Sequence, residues 1–355
     1  MRLTPFMLIL GTPLPPLPRP WEDLPVPGVM VSAYTLMTNE KLRMLSRGRG
    51  LRRILGLDDD KELWIDSGGY QFMRSGFSLT PEKLAKLYKE IDADYYVSLD
   101  YPPSPREPLA TRIYKIARSV QNYQALRGLL ADRKDRLVPV FHLSWGNVLR
   151  LQYETYMSAD AAAVGGLVPL VMQLDGRHSR RRAIAFIALM RKLWGGRLHA
   201  LGLASAAMIP LLRLLRVDSG DTQTWRHKAA YGKIIIPGLG ERHVSERRVR
   251  FGPARVRGVD EEHLLRRLVE EVSRSLSLDP AKLMERIRSD FVTRALVNAW
   301  VLNKVAVNGI GYLAKSPVWS KLYAYAESLM RKRPEEIEEE LERMHYEAHG
   351  RSGAA

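Results

Sequence analysis

The chain has 355 residues, and its 55 lysine and arginine residues against 39 aspartate and glutamate residues give a formal net charge of +16 and an isoelectric point near 10. It contains no cysteine, which excludes disulfides, thiolate metal sites and cysteine nucleophiles, and which is typical of a protein of the reducing cytoplasm. It also lacks an apolar run of about 18 residues, so we expect no membrane span and no membrane partner.

The one-sided charge favours a polyanionic partner, and nucleic acid is the commonest one. The alternative is a surface rich in ion pairs, as in thermophilic proteins, because arginine and glutamate are both plentiful. Since the positive excess is large, we expect a nucleic acid, either tRNA or DNA, as a partner.

The N-terminal stretch MRLTPFMLILGTPLPPLPRP predicts an opening strand and a proline-rich loop, and it lacks the cleavage site of a signal peptide. Short β-rich apolar runs then recur, and segments with helical periodicity separate most of them. The eight runs predicted as strands are 29–34, 63–65, 95–99, 137–141, 161–164, 198–203, 214–217 and 233–237.

Strands that alternate with helices pair in parallel through right-handed crossovers. The predicted helices include 81–91, with Thr80 as N-cap and Pro81 at the first helical position, 111–130 and 181–194. Eight strand–helix units close a (β/α)8 TIM barrel, which is the α/β fold that we expect. A doubly wound open sheet is the competing arrangement, but a chain of this length with that fold usually carries a dinucleotide-binding signature, which we do not find.

The pattern changes after about residue 240, where a basic stretch poor in strand signals precedes helical patterns. We therefore predict a TIM-barrel catalytic domain over 1–258, a helical C-terminal region over 259–346 that packs partly on the barrel, and a flexible tail over 347–355. The glutamate-rich segment 334–341 is either a solvated cap or a subunit contact, which leaves a homodimer open.

Acidic residues stand at the ends of predicted strands. Asp66, Asp100 and Asp218 each follow a strand directly, and Asp221 lies three residues beyond Asp218. Aspartate often ends a strand, and this explains any one of them. In a barrel, however, these positions gather at the carboxyl-terminal rim, where the active sites of this fold lie. Residues 67–69, Ser-Gly-Gly, also predict a loop whose backbone a flat ligand can approach.

The order of short motifs resembles that of the tRNA-guanine transglycosylases. Asp66-Ser67-Gly68-Gly69-Tyr70-Gln71 is similar to the DSGGFQ motif of that family. Residues 94–100 are similar to a strand of the family that ends in a base-recognising aspartate, and residues 164–167 are similar to its GGLA segment. Residues 199–202 are similar to its LMG strand, residues 217–221 to its VDxFD motif, and Gly232 to a glycine that follows this motif. The resemblance covers residues 29–237.

The resemblance implies exchange of a base in a nucleic acid, of the kind that leads to queuosine or archaeosine. A carboxylate attacks C1′ of a guanosine, guanine leaves, and a free 7-deazaguanine (preQ0, preQ1 or queuine) replaces it on the covalent ribosyl-enzyme. Cleavage of an N-glycosidic bond needs one carboxylate nucleophile and a second group for proton transfer. By resemblance, Asp221 is the nucleophile, Asp66 the general acid/base, and Asp100 the acceptor for the N1–H and amine of the base.

The resemblance also implies a base-binding site around these acids. Gly166 and Leu167 offer backbone groups, Tyr70 and Leu201 sandwich the base, and His142 replaces a glutamine that reads it. Tyr70 alternatively packs under its own loop, and His142 is alternatively a structural hydrogen bonder. The full set of predicted base-binding residues is Ser67, Gly68, Gly69, Tyr70, Asp100, His142, Gly165, Gly166, Leu167 and Leu201.

The chain departs from the family pattern in three further places. Without cysteine, the structural zinc site of the family cannot form, so we expect no metal and no other cofactor. Residues 101–103, Tyr-Pro-Pro, follow Asp100 where the family has glutamate. After Asp221 the chain reads TQTWRHKAA, where the family has an arginine-containing run. Because this departure lies directly after the predicted nucleophile, Asp218 remains a fallback nucleophile. In these departures the chain resembles divergent zinc-less relatives of the family, among them enzymes that insert deazaguanines into DNA.

Basic residues flank the predicted rim, where they could bind phosphate groups. Each cluster taken alone is equally well explained as a solvent-exposed charged surface. They predict binding that weakens with salt, to single-stranded or flippable nucleotides whose base can reach a barrel mouth. The predicted phosphate contacts are Arg181, Arg182, Arg226, Lys228, Arg247, Arg248 and Arg250.

Three functions remain open from the sequence. The first is an active transglycosylase on tRNA, with DNA as the alternative substrate. The second is a non-catalytic nucleic-acid-binding partner subunit, against which the presence of Asp66, Asp100 and Asp221 argues. The third is an unrelated barrel enzyme on a small anionic substrate, which predicts no salt-sensitive affinity for nucleic acid.

Overall fold

The computed structural model describes residues 6–76, 78–173, 178–246, 255–308 and 317–349. Within these ranges, nine parallel strands form one barrel-shaped sheet, and two antiparallel strands form a separate hairpin. The strands are β1 (Met7–Gly11), β2 (Gly28–Ser32), β3 (Glu62–Asp66), β4 (Tyr95–Val97), β5 (Leu137–Val138), β6 (Val140–His142), β7 (Ala161–Gly165), β8 (Arg197–Ala200), β9 (Ser219–Thr222), β10 (Lys233–Ile236) and β11 (Gly240–His243).

Helices connect the strands around the outside of the sheet and continue beyond them. Those in the described ranges are α1 (Pro20–Asp23), α2 (Ala33–Thr38), α3 (Glu40–Arg49), α4 (Leu51–Leu55), α5 (Gly69–Ser75), α6 (Pro81–Glu90), α7 (Leu109–Leu129), α8 (Gly146–Tyr156), α9 (Val168–Val171), α10 (Ser179–Leu193), α11 (Met208–Leu214), α12 (Thr224–Ala230), α13 (Gly258–Leu276), α14 (Pro280–Ser289), α15 (Phe291–Asn308), α16 (Pro317–Arg331) and α17 (Pro334–His349). None of these helices is both long and apolar enough to cross a membrane.

The sheet closes through a strand that Pro139 interrupts. β5 and β6 flank this proline; β5 pairs with β4, and β6 pairs with β7. Proline has no N–H to give to a neighbouring strand, but its carbonyl oxygen still accepts from the Ala163 N–H at 2.8 Å. β5 and β6 therefore act as one strand, and the predicted α/β fold, a TIM-like barrel followed by C-terminal helices, is confirmed.

One of the eight predicted strands is wrong, and another is a strand but lies outside the barrel. Segment 214–217 instead contains the end of α11 and a turn, because Leu211, Leu212 and Leu215 are buried at helical spacing, and the strand that follows is β9. Segment 233–237 lies in the hairpin of β10 and β11 rather than in the barrel. The place in the barrel goes to β1, the predicted opening strand, which pairs with β2 and β9.

The buried side chains form two layers, as alternation along parallel strands requires. Those that point outward pack against the helices in the main core. Those that point inward fill the barrel, where the bulky Trp64 is accommodated by the small Ala161 and Ala163. The inner cluster consists of Ile9, Met30, Trp64, Val97, Val138, Val140, Ala161 and Ala163.

The C-terminal helices pack on the barrel helices. α15 packs on α12 and β10, and α17 packs on α10. The side chain of Asn298 in α15 is fully buried; it accepts from Ile235 N–H at 2.8 Å and donates to the carbonyl oxygens of Trp225 and Lys233 at 3.1 Å. α13 begins at Gly258, next to the predicted boundary, and residues 347–349 of the predicted tail lie in α17.

Candidate active site

The carboxyl ends of the barrel strands open into a cavity of about 950 Å³. Asp66 is the last residue of β3, Asp100 follows the end of β4, and Asp221 lies in β9; all three line this cavity. The predicted convergence of these carboxylates at one barrel mouth is therefore present. The predicted residues that line the cavity are Asp66, Gly69, Tyr70, Asp100, Gly165, Gly166, Leu201, Asp221 and Lys228.

Asp66 lies in an environment that favours its protonated form. Burial, and then the negative charges of Asp100 and Asp221, raise the pKa of Asp66 from 3.8 to about 7. The Gly68 N–H, which donates to Asp66 Oδ2 at 3.1 Å, opposes this shift only in part. A carboxyl group with a pKa near 7 can both give and take a proton at neutral pH, as a general acid/base must.

The Ser-Gly-Gly loop after Asp66 holds Asp100 in place. The buried Ser67 hydroxyl donates to Asp100 Oδ1 at 3.3 Å and accepts from the Gly69 N–H at 3.3 Å. A Cβ atom at Gly69 would collide with the Asp100 carbonyl oxygen, and Gly68 has a φ of +74°. Both positions therefore require glycine. The loop brings the Asp66 and Asp100 segments together, and the Ser67 hydrogen bond orients the Asp100 carboxylate.

His142 lies behind Asp100 rather than at the cavity surface. Its side chain is fully buried; Nε2 lies 3.3 Å from Asp100 Oδ2 without the alignment of a hydrogen bond, and Nδ1 lies 3.4 Å from the Gly165 carbonyl oxygen. The predicted role of reading the base directly is therefore not met in this structure. Leu167, which follows Gly166, is likewise buried.

The Asp221 carboxylate is fixed through one oxygen. Asp221 Oδ1 accepts from the Gly202 N–H at 2.6 Å and contacts His199 Nε2 at 3.2 Å. His199 is not among the site residues predicted from the sequence. The available signal was alternation: Arg197 and His199 are polar residues two positions apart in one strand, and in a barrel such residues share the interior face.

The cavity lining also contains basic residues. Lys228 of α12 and Lys233 of β10 line the cavity together with Tyr231, and Lys228 forms an ion pair with Glu241 at 2.8 Å. Burial, and then the neighbouring charge of Lys228, lower the pKa of Lys233. Lys233 was not predicted as a site residue, because an apolar strand pattern surrounds it.

Two aromatic residues of α16 form another wall of the cavity. Trp319 and Tyr323 line it, although they are about one hundred residues away in sequence from Asp221. The Arg180 guanidinium lies over the Trp319 ring at 5.2 Å, and the Tyr323 hydroxyl donates to the Ala207 carbonyl oxygen at 3.3 Å. Their role could not be predicted, because only the packing of the C-terminal helices brings them to the rim.

The fallback nucleophile Asp218 is far from this chemistry. It precedes β9, at the amino-terminal side of the barrel, and its Oδ2 accepts from Arg191 and from the Leu198 N–H, each at 2.8 Å. The prediction failed because segment 214–217 is not a strand, so that Asp218 begins a strand instead of ending one. Its role in the structure is to tie α10 and β8 together.

Of the four predicted phosphate contacts that the structure describes, three do not line the cavity. Arg182 is only 1% exposed, so it cannot bind a phosphate in this conformation. Arg181 is exposed, and its guanidinium lies over the Tyr325 ring at 5.0 Å. Arg226 stacks on Phe291 at 5.5 Å. The predicted residues Arg247, Arg248 and Arg250 lie outside the described residues.

In the part of the chain that the structure describes, no group of three or more histidine and acidic side chains could hold a metal ion. No family model matches the chain. An uncharacterized protein, protein 306 of Sulfolobus islandicus rod-shaped virus 1, is 24% identical over 198 residues, which are 53% of this chain and 57% of that protein. The chain thus aligns with little more than half of this viral relative, and the similarity assigns no activity.

Proposed function

We propose that the chain is a base-exchange enzyme, a pentosyltransferase similar to the tRNA-guanine transglycosylases, which replaces guanine in a nucleic acid by a 7-deazaguanine. The observation that carries this proposal is the convergence of Asp66, Asp100 and Asp221 in one cavity, in three different environments. Such differences let chemically identical carboxyl groups take separate roles. The location of this activity would be the cytoplasm.

In the first half-reaction, an Asp221 oxygen forms a bond to C1′ of the target nucleotide as the C1′–N9 bond breaks. The bonding electron pair leaves with guanine, which takes the proton of Asp66. In the second half-reaction, N9 of the incoming deazaguanine bonds to C1′ and its proton passes to Asp66. The C1′–oxygen bond breaks and restores the Asp221 carboxylate. Two displacements at one carbon in this way retain its configuration.

Asp100 is suited to hold the base during both steps. Its Oδ1 accepts from Ser67, which fixes the carboxylate plane, while the residue lines the cavity. A fixed carboxylate can accept from two adjacent donors, such as the N1–H and amine of guanine. Gly165 and Gly166 line the same part of the cavity and bring only backbone close to the base.

The basic and aromatic residues of the cavity lining support a nucleic-acid substrate. Lys228, whose side chain is partly exposed, supplies positive charge for a phosphate, and Trp319 and Tyr323 supply aromatic surface. The cavity, at about 950 Å³, is near the upper end of the roughly 300–1,000 Å³ of ligand sites, so it has room for more than a free base. These features suit tRNA and DNA equally, and both belong in the assay.

The direct test is exchange of radiolabelled guanine into tRNA and into DNA. We expect wild-type protein to incorporate label into one of them, and Asp221→Asn to lose at least about a thousandfold in rate while still binding the nucleic acid. Asp218→Asn is the matched control and should keep its exchange activity, because Asp218 lies outside the cavity. Absence of exchange by the wild type, or an active Asp221→Asn beside an inactive Asp218→Asn, would refute the proposal.

The second candidate is a non-catalytic nucleic-acid-binding subunit. The formal net charge of +16 favours this candidate, because a protein that only binds nucleic acid, without catalysing a reaction, would also need a positive charge. It predicts salt-sensitive binding of nucleic acid without guanine exchange. The raised pKa of Asp66 argues against this candidate. Three neighbouring carboxyl groups in one cavity repel each other, and a pKa perturbed in this way is typical of a catalytic site.

A further inference from the structure

We infer that His199 is a positioning residue that fixes the Asp221 carboxylate, so that Oδ2 is the oxygen presented to the cavity. The hydrogen bonds and the ring packing around His199 carry this inference independently of any activity. Its chemical consequence, that Oδ2 is the atom that bonds to C1′, rests on the proposed function.

The contacts of Asp221 are asymmetric. Oδ1 accepts from the Gly202 N–H at 2.6 Å and from His199 Nε2 at 3.2 Å. Among the described residues, no hydrogen bond or ion pair to Oδ2 accompanies these two. Asp221 still lines the cavity, with 8% of its surface exposed. Two donors on one oxygen therefore hold the carboxylate plane and leave the other oxygen for a ligand.

The backbone of Asp221 is also held. Gly202 has a φ of +69°, a conformation that turns its N–H toward Oδ1 and that other residues rarely adopt. The Asp221 carbonyl oxygen accepts from the Ala204 N–H at 3.0 Å. The segment after β8 thus contacts both the backbone and the side chain of Asp221.

The His199 ring cannot turn freely, because it belongs to a stack inside the barrel. The ring lies on Trp64 with centroids 4.5 Å apart, and Trp64 lies on Tyr95 with centroids 4.2 Å apart. Trp64 Nε1 donates to Glu62 Oε2 at 2.9 Å, and Arg197 pairs with both oxygens of Glu62 at 2.6 and 2.8 Å. This anchored stack transmits a fixed orientation to His199.

Asp221 selects the tautomer of His199, and the Ser219 hydroxyl accommodates it. A carboxylate oxygen only accepts hydrogen bonds, so His199 Nε2 must carry the proton that it shares with Asp221 Oδ1. In the neutral ring, Nδ1 is then an acceptor, and the Ser219 hydroxyl at 2.9 Å is its donor. Ser219, His199 and Asp221 thus form one directed chain of hydrogen bonds that ends at the candidate nucleophile.

The first test reads the tautomer directly, in wild-type protein labelled with ¹⁵N at its 8 histidines. We expect the His199 signals, assigned by their loss in His199→Gln, to show a protonated Nε2 and an unprotonated Nδ1. A ring protonated only at Nδ1, or one that exchanges between tautomers, would overturn the inference. This result is decisive even if the protein exchanges no guanine, so the failure of the inference and the failure of the proposed function are distinguishable.

The second test separates positioning from mere packing. His199→Phe keeps an aromatic ring on Trp64 but removes the donor to Asp221, and we expect kcat for exchange to fall about 100-fold with KM unchanged. His199→Gln restores an N–H near the position of Nε2, and we expect it to recover at least about tenfold of that loss. If His199→Gln is no better than His199→Phe, with both folded by circular dichroism, His199 does not act through its hydrogen bond.

Discussion

At the scale of single residues, Asp66 and Asp221 show how one cavity gives two aspartates different chemistry. Asp221 receives two hydrogen bonds on one oxygen. Asp66 is surrounded by protein and by two other acids, which raises its pKa to about 7. The proposed mechanism needs this division, because one group must attack a carbon atom while the other exchanges a proton.

The raised pKa of Asp66 predicts a pH-dependent loss of stability. From pH about 4 to pH about 7 the folded state binds the Asp66 proton and the unfolded state does not, so the free energy of unfolding falls as pH rises through this window. Asp66→Asn removes the titration but keeps an oxygen for the Gly68 N–H.

We therefore expect the stability of Asp66→Asn relative to wild type to increase across this window, by on the order of 2–4 kcal/mol, and to level off above it. Urea unfolding at pH 4.5, 6 and 8, chosen at roughly even steps across that titration, measures the difference. A difference that stays constant with pH would show that Asp66 is not protonated in the folded protein.

At the scale of elements, the sequence was most informative where local chemistry decides the structure. Thr80 and Pro81 predict the start of α6, and the Thr80 hydroxyl indeed accepts from the Lys83 N–H. Asp66 ends β3 as predicted. Both rest on signals within a few residues of the chain, namely a cap in one case and an apolar run in the other.

The sequence was least informative where the barrel decides the structure. β9 reads Ser-Gly-Asp-Thr, which has almost no strand propensity, yet it pairs with β1 and β8. Its position in the sheet overrides local preference. For this reason the prediction placed Asp218 at the rim, and for the same reason it missed the contacts between β8 and β9 that join His199 to Asp221.

The packing of α15 predicts that the C-terminal helices are needed for a stable barrel. Asn298→Ala should lower the free energy of unfolding by about 2–4 kcal/mol, because it leaves an N–H and two carbonyl oxygens buried without their partner. Asn308→Ala, at the exposed end of the same helix, should change it by less than about 0.5 kcal/mol. Denaturant unfolding checks both, and equal effects would mean that α15 is a loosely attached appendage.

At the scale of the whole molecule, the C-terminal helices complete the cavity. The barrel supplies the three acids, the α12–β10 segment supplies the lysines, and α16 supplies the aromatic wall. Composition correctly pointed to an excess of positive charge, but it could not locate that charge. Of the predicted basic residues that the structure describes, Lys228 alone lines the cavity, and Lys233 joins it from a segment that looked like barrel core.

We propose that Asp221 forms a covalent bond to the sugar of a guanosine nucleotide. The most direct measurement is the intact mass of the protein after incubation with a guanosine-containing RNA or DNA oligonucleotide and denaturation. We expect wild-type protein to gain the mass of the oligonucleotide without guanine, and Asp221→Asn to gain nothing. An adduct that persists in Asp221→Asn, or the absence of any adduct in the wild type with both RNA and DNA, would contradict this proposal.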